Sequence, residues 1–474
     1  MGRWCMARRR ARARRAWGCR ARAWRAGVRR VRPSGRRVRV VVRPGLVAVR
    51  LAVVTAVAGA TVLLPGATAP AADAADGYAY AFADGARRIE GATGTADAVA
   101  LEPGTTYRSS LPRSGTVHFR LELDAASNAY ASVTAVPAAG AAITAADGIR
   151  MSVRDADGSS CSSDSVSFGA ARSPRPLTAW GMREISPGGL RCQEPGTYYV
   201  TVERIRPQDS PPDPWGLELA TATEPGLERT GATSAPGTWD SSSPEPVTGE
   251  PERRRGGSGF ADATAVAQGV WRDDVRPGQT LFYKVPVDWG QQLYATAELG
   301  SAGGGSGYAP GALSLTLHNP VRGEVDDAAT GYAGRRATAD LSPVPPVAHA
   351  NRHAAADQVS GMRFAGEYYL VVHLAEGVAE DFGEGPFGLT LRVRIKGGGQ
   401  GGPGYDGEPV PRGVFEVAGR AAASEDGAAG DDLAMKAVAV GGIGTGSALL
   451  VGLGVWTVVA RRRGPGPRPG GPGL

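Results

Sequence analysis

The chain is short of cysteine, of catalytic signatures, and of net positive charge anywhere but at its two ends. Four cysteines among 474 residues exclude a disulfide-dense mini-protein framework. Neither H-E-x-x-H nor G-x-S-x-G occurs, so the helical zinc-protease signature and the strand–turn–helix serine elbow are both missing. Glycine clusters such as Gly303-Gly-Gly-Ser-Gly lack the Lys-Ser/Thr of a phosphate loop,. Ser258 lies in Gly-Gly-Ser-Gly without a base beside it. Aromatic residues are 7% of the chain, so a core is expected to be aliphatic. Sustained helical periodicity is lacking over residues 78–396,.

The net charge of +7 and a pI near 9.4 belong to the ends. Residues 1–50 hold 18 Arg and no acid, and taking +18 from +7 leaves −11 for the remainder. Four more Arg follow Ala460, so residues 51–460 carry −15. An acidic middle repels phosphate backbones, and nucleic acid is not an expected partner. The basic ends read instead as topology signals.

Leu51 to Leu64 is an uncharged apolar run preceded by arginines and followed by Ala72-Asp73-Ala74. A basic region, a short apolar stretch and an A-x-A site are the parts of an export signal. Residues 1–74 are therefore expected to be an Arg-rich leader and signal peptide, with a retained anchor as the alternative. Ala437 to Ala460 supplies 24 uncharged residues bounded by Lys436 and Arg461-Arg462-Arg463. That length spans a bilayer, and the arginines place residues 461–474 in the cytoplasm by the positive-inside rule. Gly442-x-x-x-Gly446 within it suits close helix approach,. The expected localisation is a single-pass cell-membrane protein with its body outside.

Cys161 and Cys192 are the only cysteines between leader and anchor, and an oxidising compartment would join them. The histidines are scattered. His349 and His353 lack a glutamate at ligand spacing, and His118 and His373 fall on the polar phase of expected strands, where solvent contact explains them,. Asp155-Ala-Asp157-Gly158 reads either as a fragment of a calcium loop or as a hairpin turn; Asp155 and Asp157 are the metal candidates, and the remaining EF-hand acids are absent,. No cofactor is expected.

The body of the sequence repeats itself. Thr116–Asp124 matches Thr280–Asp288 at an offset of 164, which also carries Tyr130-Ala-Ser-Val onto Tyr294-Ala-Thr-Ala and Ile149–Val153 onto Leu313–Leu317. Pro195–Val202 meets Ala365–Val372 at 170, and Pro214–Leu219 meets Pro386–Leu391 at 172,. Val117, Phe119, Leu121 and Leu123 alternate with polar residues, the period of a strand with one buried face. The expected fold is mostly β: two tandem antiparallel β-sandwich or jelly-roll domains, with an N-terminal signal segment and a C-terminal transmembrane helix. The repeats span 78–222 and 259–396. Residues 223–258, with Ser and Gly clusters, read as a linker, and 397–435 as a flexible stalk below which 437–460 crosses the membrane,.

The order Phe282-Tyr-Lys-Val, Leu313-Ser-Leu-Thr-Leu, Gly366-Glu-Tyr-Tyr-Leu-Val-Val and Phe387-Gly-Leu-Thr-Leu resembles bacterial pre-peptidase C-terminal domains. The resemblance covers both repeats, with Leu101–Tyr107 read as an insertion in the first. It implies small β-sandwiches with an accessory, non-catalytic role, in some members calcium- or matrix-binding. The expected function is a membrane-anchored surface protein presenting two sandwiches to an envelope polymer or a membrane protein partner. The alternatives are an accessory subunit of an envelope complex and a secreted hydrolase whose site the sequence does not reveal.

Overall fold

The computed structural model describes residues 79–417 apart from 187, 206–212 and 246. The expected leader, transmembrane helix and cytoplasmic tail lie outside the described residues, as does the stalk beyond 417. Among the described residues no helix is long and apolar enough to cross a membrane.

Ten strands build the first sandwich: β1 (Arg87–Arg88), β2 (Val99–Ala100), β3 (Thr106–Leu111), β4 (Thr116–Leu123), β5 (Asn128–Val136), β6 (Gly148–Arg154), β7 (Ser160–Ser167), β8 (Leu177–Arg183), β9 (Gly196–Ile205) and β10 (Trp215–Glu224). Ten more build the second: β11 (Glu252–Arg253), β12 (Thr264–Ala265), β13 (Gly269–Val275), β14 (Thr280–Val287), β15 (Gln292–Leu299), β16 (Ala309–His318), β17 (Glu324–Tyr332), β18 (Ala337–Asp340), β19 (Gly366–Leu374) and β20 (Phe387–Lys396). Two short helices, α1 (Asp357–Ser360) and α2 (Val378–Phe382), sit in loops of the second.

Each sandwich has two five-stranded sheets. Sheet I is β2-β4-β9-β6-β7 and sheet II is β1-β3-β10-β5-β8; sheet III is β12-β14-β19-β16-β17 and sheet IV is β11-β13-β20-β15-β18. Adding ten to every label of the first sandwich reproduces the second. The register repeats as well. Val117 pairs with Val202 and Leu281 with Val372; Leu111 pairs with Trp215 and Val275 with Phe387. The offsets read from the sequence thus equate residues that occupy one position in one architecture.

The sheets are not wholly antiparallel. Each begins at a two-residue parallel strand (β1, β2, β11 or β12) laid against its neighbour. Such short edge strands leave little unpaired backbone for another chain to extend. Leu101–Tyr107, expected as an insertion, is the turn into β3 together with its first two residues, equivalent in place to the turn into β13.

Inside each sandwich the alternation behaves as expected. Val117, Phe119, Leu121 and Leu123 share one core with Ile149, Met151 and Val200 of the same sheet and Leu217 of the facing one. Leu281, Tyr283, Leu315, Leu370 and Leu391 occupy the same layer of the other. Burying such side chains contributes about 1.5–3 kcal/mol each. Cys161 of β7 is bonded to Cys192 in the loop after β8, with an S–S distance of 2.03 Å.

The two sandwiches form a four-layer stack, I–II–III–IV, because the outer faces of sheets II and III carry apolar patches that pack at one seam. Tyr130, Ala222, Val321, Phe364 and Phe415 make one buried cluster there, and Tyr80, Phe260, Ala263 and Phe282 another. This explains β5, where eight of nine residues are buried: one face meets sheet I and the other meets sheet III. Gly323 permits the close approach, since a Cβ there would lie 2.6 Å from the Trp180 ring.

The connecting segments differ from the flexible linker and stalk expected of them. Residues after β10 run along sheet IV, where Gln292 Nε2 donates to Asp240 O at 2.9 Å and Arg392 Nη1 donates to Val247 O at 3.1 Å. Gly257 bridges Phe282, and the Ser258 carbonyl accepts from Ala81 N at 3.0 Å. The tail from 397 to 417 turns back to the seam. Tyr405 and Val410 bridge Leu227 and Thr223, and Phe415 stacks on Phe364 at 4.7 Å. Glycine-rich composition signalled slack chain; backbone bridges and the buried Phe415 ring hold it down instead.

Candidate functional site

Most of the strongly perturbed ionisable groups gather at the seam between sheets II and III. Glu218 of β10 is fully buried and accepts from Tyr80 Oη at 2.9 Å, Ala83 N at 2.8 Å and Arg322 Nη1 at 2.7 Å. Arg322 lies in the hairpin after β16 with φ of 65°, its guanidinium 4.8 Å from the Phe260 ring centroid. The repeat explains the geometry. The equivalent hairpin residue in the first sandwich is Gly158, φ 83°, which adopts that conformation without the steric cost a side chain adds, about 1–2 kcal/mol. Arginine accepts the strain at 322 because its side chain closes the Glu218 pair, from which water is excluded.

Glu224, at the end of β10, is also fully buried. It accepts from Asn128 Nδ2 at 2.9 Å, Tyr130 Oη at 2.7 Å, Arg352 Nη2 at 2.7 Å and Tyr405 Oη at 3.0 Å. Burial alone would raise its pKa, but Arg352 and the donated hydrogen bonds outweigh it, and the carboxyl titrates below the usual range,. Glu184 pairs with Arg363 beside it. His349 Nε2 lies 3.6 Å from Glu224, yet burial and Arg352 hold its pKa down to about 4, so the contact at neutral pH involves a neutral ring.

A third group surrounds His373 of β19. Its Nε2 meets Ser173 Oγ at 2.9 Å and its Nδ1 meets Thr280 Oγ1 at 2.9 Å. Burial, then Arg175, lowers its pKa to about 3. The expectation that solvent contact explains His373 is corrected: the ring is sealed by the other sandwich. His118 occupies the same face of sheet I and remains half-buried, bonded to Thr201 Oγ1 at 3.2 Å. His353 lies on the 3-10 turn His349–His353, where its Nε2 contacts Ala232 O at 2.8 Å.

Asp155 and Asp157 sit in the β6–β7 hairpin. Asp155 Oδ1 accepts from Ser159 N at 2.7 Å, and the Asp155 carbonyl accepts from Gly158 N at 3.0 Å. Asn319 accepts from Gly323 N at 2.9 Å at the equivalent place. One side-chain-capped turn serves both repeats. Among the described residues no group of three or more His, Cys, Asp or Glu side chains is placed to hold a metal.

The seam residues Glu218, Glu224, Arg322, Arg352 and Arg363 were not anticipated. The signal available was the outward phase of the matched blocks: Tyr130, Phe282 and Val371 are apolar where a solvated face would be polar. Two sheet faces stay accessible. Sheet I presents His118, Arg150, Arg154, Tyr199 and Glu203 around a shallow cleft of about 510 Å³. Sheet IV presents Tyr294, Thr296, Arg392 and Arg394 in a cleft of about 700 Å³ beneath residues 243–245 and 247–248.

These features define a tandem β-sandwich protein whose halves are fused face to face. No family model matches the chain, and no curated protein does. Among solved structures it is similar to the CUB1-EGF-CUB2 domain of human MASP-1/3, at 8% identity over 61% of this chain and 99% of that one, TM-score 0.15. A tandem CBM22 domain from Paenibacillus barcinonensis Xyn10C aligns at 10% identity over 63% and 93%, TM-score 0.16. Tripeptidyl peptidase 2 aligns at 9% identity over 63% of this chain, TM-score 0.19, and the chain spans 24% of its length. Superpositions this loose carry no functional argument.

Proposed function

We propose that the protein is a non-catalytic binding component of the cell envelope, exported by its N-terminal segment, held by residues 437–460, and displaying the double sandwich outside the cell. The observation that carries this reading is the use made of the buried charges. Displaced pKa values mark catalytic clefts or structural networks alike. Here Glu224 and His373 are each buried between the two sandwiches with hydrogen-bonding partners from both. Their chemistry is spent on holding the halves together. What faces outward is the polar face of sheet I and that of sheet IV, the latter partly covered by residues 243–245 and 247–248; these are the surfaces available for recognition.

The reading is supported by the apolar run at 437–460 with arginines behind it, and by the motif order shared with accessory pre-peptidase C-terminal domains. Photo-crosslinking from the sheet I and sheet IV faces of the full chain on intact producing cells tests it. A discrete envelope polymer or membrane protein in the adduct is expected. Absence of any adduct, together with turnover of peptide, ester or glycan substrates by the purified chain, would replace this reading with the hydrolase alternative.

A further inference from the structure

The segment that joins the two sandwiches carries a chemistry the fold does not use. Residues 230–243 hold Thr230, Thr233, Ser234, Thr238, Ser241, Ser242 and Ser243, seven hydroxyls in fourteen residues. All seven residues are exposed, and the run is neither helix nor strand. Among the described residues only one of these hydroxyls donates a hydrogen bond, from Ser242 Oγ to Asp240 Oδ1. The backbone is held at a few points. His353 Nε2 meets Ala232 O at 2.8 Å, and Gln292 Nε2 donates to Asp240 O at 2.9 Å. Pro236 and Pro244 bring no backbone N–H, so the run offers little to a sheet ladder.

Serine abundance alone does not make such a segment, and β7 shows the difference. Five of its eight residues are serine. Its backbone, however, pairs with β6 along its length, and Cys161 ties it to Cys192. Ser162 Oγ accepts from Met182 N at 2.7 Å. An enzyme that modifies a hydroxyl must close around the backbone on both sides of it. Chain built into a sheet cannot be enclosed in that way; chain lying on the surface between anchor points can, as loop tips are open to proteases.

We propose that residues 230–243 are an O-glycosylation site, with the exposed Ser and Thr hydroxyls as acceptors. Hydroxyl-rich chain interspersed with proline is the composition of O-glycosylated stalks. In the transfer, the hydroxyl oxygen bonds to the anomeric carbon of a sugar as the bond from that carbon to the phosphate of an activated sugar-phosphate donor breaks. The phosphate leaves with the electron pair, and the hydroxyl proton passes to a base on the transferase. Phosphorylation fits less well. Kinases read charge patterns around the acceptor, and no charged residue lies between Arg229 and Asp240. A phosphate on residues 241–243 would stand close to Asp240 and Glu245 in sequence and be repelled by both. Sugars on Thr230 and Thr233 would also cover the exposed Arg229, the point at which a trypsin-like protease would separate the sandwiches' connection. The proposal goes beyond the binding reading and shares with it only export from the cell.

The test is mass spectrometry of the full chain recovered from intact producing cells whose surface lysines have been tagged with an impermeant reagent. Tryptic peptides spanning 230–243 are expected to carry whole monosaccharide increments, and peptide 155–172, which contains β7, to keep its unmodified mass. In the full chain bearing Thr230→Ala, Thr233→Ala, Ser234→Ala and Thr238→Ala, the sugar load should fall and native trypsin should cut after Arg229 several-fold faster. The thermal midpoint should not move, because none of those four hydroxyls holds a hydrogen bond among the described residues. An unmodified mass for 230–243, a phosphate-sized increment there, or equal sugar on the β7 peptide would each overturn the proposal. An unmodified segment in surface-tagged chain would remove the proposal alone; an unmodified segment in chain that stays untagged would remove the export reading with it.

Discussion

Sheets I and III are the same object built twice, and their outer faces have opposite fates. Position for position, His118 on sheet I stands where sheet III has Phe282, Thr201 where it has Val371, Arg154 where it has His318, and Glu203 where it has His373. On sheet III Phe282, His318 and His373 are buried under Tyr80, Ser173 and Phe260 at the seam; on sheet I their counterparts meet water. The backbone register is shared. The difference teaches that the strand framework does not decide which face is a surface. A small number of outward-phase substitutions does, and they convert a solvated sheet into half of a second core.

The largest expected effect comes from unpairing a buried charge. Glu218→Ala leaves Arg322 without its partner and should destabilise the stack by about 3–5 kcal/mol. Thr390→Ala, the equivalent site on the free face of sheet IV, should change stability by no more than about 0.5 kcal/mol. Chemical denaturation of both variants checks the contrast; similar costs at the two sites would break it. Truncating the apolar seam comes next. Phe282→Ala should cost about 3 kcal/mol through lost burial and a residual cavity, against about 0.5 kcal/mol for His118→Ala, read from shifts in denaturation midpoint at unchanged slope.

Smaller is the effect of pH through His373. Its folded pKa lies below the unfolded value, so the ring stays neutral in the fold while the unfolded chain takes up protons. Its contribution is therefore intact above about pH 6.5 and is lost as pH falls, levelling near its folded pKa of about 3,. Between pH 7 and pH 5 that amounts to about 2 kcal/mol. His318 and His349, both held at about 4, act in the same direction. Glu324 opposes them: burial and then Asp327 raise it to about 7, so its penalty is relieved on acidification. The stability lost between pH 7 and pH 5 should shrink by about 2 kcal/mol in His373→Gln, and an unchanged loss would place the ring outside the seam.

The duplicated framework was legible because its central strands alternate and recur. Thr116–Leu123 and Gly366–Leu374 advertise one buried face each. Less of the remainder could be read. β7 has serine on both phases and, as an edge strand, little need of apolar side chains. In β3 Ser109 interrupts Tyr107 and Leu111, so an ordinary strand resembled an insertion. The tail at 397–417 is anchored by backbone bridges at Tyr405 and Val410 and by the buried Phe415 ring, five residues apart, a spacing that is neither the strand nor the helix period. The seam escaped notice for a different reason. Its charged members come from distant segments, and Glu218 meets Arg322 only once both sandwiches exist. The Cys161–Cys192 bond was readable by elimination, since the other two cysteines, Cys5 and Cys19, lie within the first 20 residues.

Hydroxyl-radical footprinting of the full chain probes the fused stack at its side chains. Phe282, Phe364 and Phe415, each at 1% exposure or less, should be protected as strongly as Phe119 in the first core, while Tyr308, 64% exposed, and Tyr199 are oxidised readily. Oxidation of Phe282 and Phe364 at the rate of Tyr199, with Phe119 still protected, would mean that the sandwiches stand apart and that sheets II and III share no face.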